Sequence, residues 1–277
     1  MAKLENAVLR SYARRGSRSV LPSHDGALCE VFHENTKLSP LSSREYGKHI
    51  SLFSSAPSAQ KLMAHPYKVY SLGDQVDLPA LGAETELERT LLERRSHRHF
   101  TGEPITRAEL ARLLYFTYGR TAPGTRMRPI ASPGALYPLE IYVIPHRVTG
   151  LERWVYHYNV DQHSLDVVAR DDRWEAMKEQ VALGDMDDPD ETAVLLWITA
   201  VLQRSTAKYL DRGYRMTLME AGEAGHNLGL LATSLGLGGY MIGGFMDDGV
   251  AELLEIDGVD EVPLVPMALG RRPVNGD

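Results

Sequence analysis

The chain has 277 residues, 43% of them hydrophobic and 24% charged, with a formal net charge of −7. This is the balance of a folded globular protein, and it argues against a non-specific nucleic-acid binder, which needs a basic surplus. The single cysteine, Cys29, cannot form an internal disulfide, and no apolar run reaches the length of a membrane span, so a cytoplasmic protein without a membrane partner is expected.

Met1 to Ser19 carries Lys3, Arg10, Arg14, Arg15 and Arg18 against a single Glu5. It lacks the apolar core of a secretory signal and is read as a cytoplasmic N-terminus. Residues 1–84 hold Ser/Pro-rich stretches such as Leu38 to Arg44 and Leu52 to Pro57, with no sustained period. They predict short helices and loops packed on a core formed by residues 85–277, not a second domain. In that core, Leu87, Leu91 and Leu92 are spaced for one helical face, and the helix ends near Arg94 to Ser96. A second helix follows Pro104-Ile105, with Thr106 and Glu109 in a capping-box pattern, Leu110, Leu113, Leu114 and Tyr118 on its apolar face, and Gly119 closing it.

After a breaker-rich loop at Arg128 to Pro138, strand-like runs at 139–145, 154–159 and 164–169 predict an antiparallel meander. Asp172 is a candidate cap of a short helix. An acidic loop at 184–191 leads to an apolar strand at 193–201. One long helix from about 207 to 235 is expected to stop at Gly236-Leu-Gly-Gly239. A strand at 240–243, a helix at 247–254 and a strand at 263–269 complete an α+β arrangement with a mainly antiparallel sheet flanked by helices.

Several chemical motifs fail on their surroundings. Ser205-x-x-Lys208 matches a nucleophile motif of penicillin-recognising enzymes, but the partner Lys-Thr-Gly is absent. Gly236-x-Gly-Gly239 ends a helix, where a dinucleotide fingerprint must open one. The aspartates at 185, 187, 188 and 190 resemble calcium ligands, yet Pro189 and a missing central glycine favour a solvated acidic turn. His97-x-His99 has no second ligand pair, so no metal is expected.

What remains is Lys208-Tyr209, just after the apolar strand and among Arg204, Arg212 and Arg215. A lysine near apolar walls or other cations loses basicity and can serve as a base at neutral pH. A solvated residue in the first turn of a helix is the ordinary alternative. Three further segments suit a phosphate, a ribityl chain and a flat ring when taken together. Arg94 to Arg98 concentrates cationic and hydroxyl donors, Ala131 to Ala135 exposes backbone N–H groups, and Met241 to Phe245 allows close backbone approach through glycine.

The motifs Arg94-Arg-Ser-x-Arg98, Ser132-Pro-Gly-Ala-Leu-Tyr-Pro-Leu-Glu-Ile-Tyr142, Gly236-Leu-Gly-Gly, Ile242-Gly-Gly-Phe245 and Leu269-Gly-Arg271 resemble the nitroreductase flavoprotein superfamily. Gly134 to Glu140, Lys208-Tyr209 with Arg212-Gly-Tyr-Arg215, and Phe32 to Lys37 resemble, more narrowly, the SagB-type dehydrogenases, which include the azoline oxidases of thiazole and oxazole peptides. The resemblance implies an FMN enzyme and a homodimer whose flavin sites draw on both subunits. Arg94, Arg95, Ser96 and Arg98 would hold phosphate, ribityl chain and pyrimidine edge. Ser132, Pro133 and Ala135 would reach in from the partner. Gly243 and Gly244 would face flavin N5, and Arg271 would help bind phosphate. Lys208 and Tyr209 would be the catalytic pair, acting on a peptide or small-molecule substrate, with a cyclodehydratase complex as a candidate partner. An NAD(P)H-dependent nitro or quinone reductase, and a non-catalytic scaffold subunit, are the rival readings. The chain departs from the usual pattern at Glu223-Ala-Gly-His226.

Overall fold

The apolar run at 193–201 lies at the centre of the molecule. In the computed structural model, which describes residues 28–64, 66–68, 76–122, 124–182, 186 and 188–273, it becomes strand Val194–Val201. The basic stretch at 1–19, and Asp185 and Asp187 of the acidic loop, lie outside the described residues.

In chain order, α1 (Leu28–Thr36), α2 (Ser42–Ser55), α3 (Pro57–Ala64) and α4 (Glu86–Glu93) precede β1 (Ile105–Thr106) and α5 (Arg107–Tyr118). Then come β2 (Leu139–Pro145), β3 (Val148–Thr149), β4 (Val155–Asn159), β5 (Ser164–Ala169), α6 (Trp174–Gln180) and β6 (Val194–Val201). Finally α7 (Gln203–Tyr209), α8 (Asp211–Ser234), β7 (Leu237–Met241), α9 (Asp247–Leu253) and β8 (Glu261–Arg271) complete the fold. Six strands form one antiparallel sheet in the order β5-β4-β2-β6-β8-β7. The expected meander is its β2-β4-β5 part. β1 and β3 form a separate two-residue parallel pair.

Both faces of the sheet are covered, which is why β6 reads as an unbroken apolar run and not as an alternation. Ile141, Val143, Leu196 and Ile198 point to one face, where α5 and α8 pack through Leu110, Leu113, Leu114, Ala224 and Leu228. Tyr142, Ile144, Leu195 and Trp197 point to the other, against Trp174, Met177, Val250 and Leu254 of the α6/α9 side. The capping box at Thr106 and Glu109 forms as read, with Gly119 at the C-cap of α5. Asp172 caps by accepting the Trp174 N–H at 3.0 Å.

Three expectations are corrected. The single helix read from about 207 to 235 is two helices, broken at Leu210, whose φ of 52° and ψ of −146° no helix can contain. The strand read at 240–243 runs instead from Leu237 to Met241, because Gly238 and Gly239 pair with Gly270 and Leu269 of β8. The last strand extends past both predicted ends, from Glu261 to Arg271.

Candidate active site

The break at Leu210 turns the chain sharply after β6, so α7 packs across the start of α8. Gly213 permits this, since a Cβ there would lie 2.7 Å from the backbone of Ser205. Lys208 and Tyr209 therefore occupy the last turn of α7, not the first turn of a long helix. Both meet the turn at Ser132 to Ala135. Gly134 sits at φ +68°, and a Cβ on it would fall 2.6 Å from Tyr209 Oη and 2.8 Å from Lys208 Nζ. Lys208 is exposed, and its Nζ stands 5.0 Å from the centroid of the Tyr209 ring. Ser205 is buried, which leaves the Ser-x-x-Lys motif without an accessible hydroxyl.

A buried polar network fixes that turn. Glu220 of α8 is 1% exposed. Its Oε2 accepts the Ser132 hydroxyl at 2.6 Å and its Oε1 accepts the Tyr118 hydroxyl at 2.8 Å. Ser132 Oγ in turn accepts the Tyr137 N–H at 2.9 Å, and Tyr118 Oη accepts the Leu139 N–H at 3.0 Å. The Arg128 guanidinium lies 4.1 Å from the centroid of the Tyr118 ring and 4.6 Å from that of Tyr137. Burial pushes the Glu220 carboxyl above its ordinary range, although its hydrogen bonds and Arg128 pull the other way. The sequence reading gives Tyr118 only as an apolar helix position and assigns no site role to Glu220 or Arg128. The available signal was a carboxylate on the small-residue face of α8, in line with Ala221, Ala224 and Leu228.

The other predicted residues gather along β7. His97 donates its backbone N–H to Gly239 O at 3.0 Å, and the Arg98 guanidinium stands 4.4 Å over the Tyr240 ring. Arg94 reaches back over Gly229 of α8, and Arg95 donates to Leu92 O and Arg94 O. Ser96 is exposed. Gly243 follows the end of β7 with open space where a side chain would stand, whereas Gly244 packs on Ala182. Arg271 pairs with Leu237 in the sheet, but its guanidinium forms a two-pronged ion pair with Glu109 at 2.7 and 2.9 Å. A phosphate role for Arg271 would require this pair to open or to be shared.

The candidate residues thus fall into two groups. Ser132, Pro133, Ala135, Lys208 and Tyr209 assemble near Glu220, and Arg94 to Arg98, Gly243 and Gly244 assemble around β7 near Gly229. Glu220 and Gly229 are about 14 Å apart along α8 at the helical rise per residue. The motifs at Phe32 to Lys37 and at Arg212 to Arg215 also meet. His33 Nδ1 lies 3.1 Å from Tyr214 Oη, and Lys37 donates to Gly258 O at 3.0 Å and pairs with Asp248 and Glu34. Cys29 is buried against Asp211, and burial with that carboxylate pushes its thiol up to about 11, which does not suit a nucleophile. Among the described residues there is no cluster able to hold a metal ion, and no helix is long and apolar enough to cross a membrane.

This fold and these motifs define a member of an oxidoreductase family. The chain belongs to the nitroreductase family, whose profile matches residues 91–271. It is similar to MJ1384 of Methanocaldococcus jannaschii, named as a nitroreductase, at 36% identity over 73% of this chain and 99% of that protein. It is also 30% identical to the microcin B17-processing protein McbC of Escherichia coli over 61% of this chain, and spans 62% of McbC's length. A chain of the solved E. coli microcin synthetase McbBCD complex, with truncated pro-MccB17 bound, shares the fold at 22% identity. Its TM-score is 0.63, over 98% of this chain and 93% of that one.

Proposed function

We propose that the protein is an FMN-dependent dehydrogenase that oxidises a thiazoline or oxazoline in a peptide to the aromatic azole. The observation that carries this reading is the Lys208-Tyr209 pair, held against the Gly134 turn by the break at Leu210. Its likeness to McbC, a protein named for processing microcin B17, supports a peptide substrate.

The residues around β7 suit the cofactor. Arg94, Arg95, Ser96 and Arg98 supply guanidinium and hydroxyl donors for a phosphate and polyol, and Gly243 leaves open space beside the strand end for a flat ring. FMN, when bound, would supply the two-electron acceptor for the ring's hydride. Lys208 would take the proton from the ring Cα, and its exposure leaves the amine free to reach substrate. Tyr209, beside it, would orient the ring or donate a hydrogen bond through Oη. Glu220 would act through Ser132 by holding the turn on which both side chains rest.

We further propose a homodimer. The two groups of candidate residues stand apart along α8, and apolar side chains close to that helix are uncovered. Leu87, Leu91 and Leu92 of α4, and Leu218 and Met219 of α8, are all exposed. A second copy laid on this surface would bring the Gly134 turn of one subunit to the Arg94 cluster of the other. Assembly with a cyclodehydratase is consistent with the complex in which the related fold occurs.

The likeness to MJ1384 favours one rival, an NAD(P)H-dependent nitro or quinone reductase. Incubating flavin-loaded protein separately with an azoline peptide and with NADH plus a quinone distinguishes them. Loss of two hydrogens from the peptide, read by mass spectrometry, is expected. Steady NADH consumption with no change in the peptide would overturn the reading.

A further inference from the structure

A second feature lies beside the turn that carries Gly134. A cleft of about 480 Å³ opens between the loop after α5, the turn, β2, β4 and α7, lined among others by Arg126, Arg128, Tyr137, Glu140, His157 and Arg204. Glu140 is its one lining carboxylate, and its two oxygens are taken. Oε2 pairs with His157 Nε2 at 2.7 Å and Oε1 with Arg204 at 2.6 Å. Arg126 then has no hydrogen-bond or ion-pair partner among the described residues. The buried Nε and one terminal nitrogen of Arg128, whose guanidinium lies against the Tyr118 and Tyr137 rings, have none either.

Glu140 holds His157 and Arg204, and the buried Glu220 lies near Arg128, so Arg126 is the cation at the cleft with no carboxylate of its own, in a chain whose net charge is −7. Like charges converging on one space repel, and Arg126 adds to that cost without an ion pair to offset it. An entering anion removes that cost, and the planar fork of arginine matches a carboxylate with two parallel hydrogen bonds. The position is also informative. Arg204 and Lys208 are four residues apart on α7, so their side chains share one face, with about 6 Å between Cβ atoms.

We propose that this cleft is a carboxylate-binding subsite, which holds an acidic group of the substrate peptide while Lys208 meets the ring. It rests on the azoline-dehydrogenase reading for the nature of the substrate, but not for the chemistry of the cleft. The carboxylate is either the peptide's C-terminus or an acidic side chain near the ring.

The test measures equilibrium binding of fluorescent thiazole peptides, which are already oxidised and do not turn over, to the flavin-loaded protein. Three peptides are compared: one neutral with a C-terminal amide, one with a free C-terminus, and one amidated with an aspartate beside the ring. At least one charged peptide should bind about ten-fold more tightly than the neutral one, as expected for a charge-assisted arginine contact, and the one that does identifies the source. Arg126→Gln changes an exposed loop residue, and should shrink the preference to about two-fold or less. Equal binding of all three peptides by the wild type would overturn the proposal. So would a preference that survives both Arg126→Gln and a rise in salt. A protein that prefers the charged peptide yet fails to oxidise azolines keeps this inference and loses the earlier reading. One that oxidises azolines but binds all three alike does the reverse.

Discussion

Glu220 illustrates how one side chain connects packing to the site. It is buried on α8, yet its two oxygens hold Ser132 and Tyr118, and through them the turn against which Lys208 and Tyr209 lie. Replacing it by alanine leaves the Tyr118 hydroxyl without an acceptor in a fully buried position. Glu220→Ala should therefore lose about 1–3 kcal/mol of stability, read by denaturant unfolding. Glu220→Gln, which keeps the shape, should lose less. His157 gives a pH signature. Burial alone would lower its pKa, but the hydrogen bond and charge of Glu140, with Glu261 and Asp166, raise it above its ordinary 6.5. Its imidazolium is thus favoured by folding, so its stabilisation is fully present below 6.5 and is lost as pH rises through the higher folded value. As pH rises above 6.5, wild-type thermal stability should fall more steeply than that of His157→Gln. Equal slopes would contradict the assignment. None of these partnerships was legible in the sequence, because Glu220 meets Ser132 and Tyr118 across 88 and 102 residues of chain, and no local pattern encodes that.

At the scale of elements, local signals carried furthest where the local chemistry is complete. The ends of α5 were readable because Thr106 and Glu109 satisfy each other's backbone groups and Gly119 closes the helix within the same short stretch. The break between α7 and α8 was not, because no proline or glycine stands at Leu210. Tertiary packing holds that residue at positive φ, a conformation that costs a leucine of order 1–3 kcal/mol. The decisive residue is Gly213, three positions on, which lets α7 close on α8. Gly213→Ala places a methyl within 2.7 Å of the Ser205 backbone, which cannot rotate away. It should destabilise the protein by about 1–3 kcal/mol and lower activity beyond what the stability loss explains, since Lys208 moves with α7. Wild-type turnover in a stably folded Gly213→Ala protein would contradict this geometry. β7 was displaced in the reading for a related reason: its glycines weigh against a strand, and only β8 and the His97 segment make them one.

The whole molecule poses the question of assembly, since one chain holds its candidate residues in two groups. The fold class was legible from the alternation of apolar runs and caps, but the separation of the groups along α8 required coordinates. The protein should sediment as a dimer at micromolar concentration, and Met219→Glu, on an exposed apolar position of α8, should weaken both the dimer and flavin retention. A monomer with one FMN per chain would contradict this. The role of Lys208 is tested by azole formation from an azoline peptide by flavin-loaded wild type and by Lys208→Ala, followed by mass spectrometry with flavin content measured on the same samples. Conversion by the wild type is expected, with a loss of about 10²–10⁴-fold in rate for Lys208→Ala at unchanged flavin content and a smaller loss for Tyr209→Phe. A Lys208→Ala protein that retains its flavin and forms the azole at the wild-type rate would contradict it.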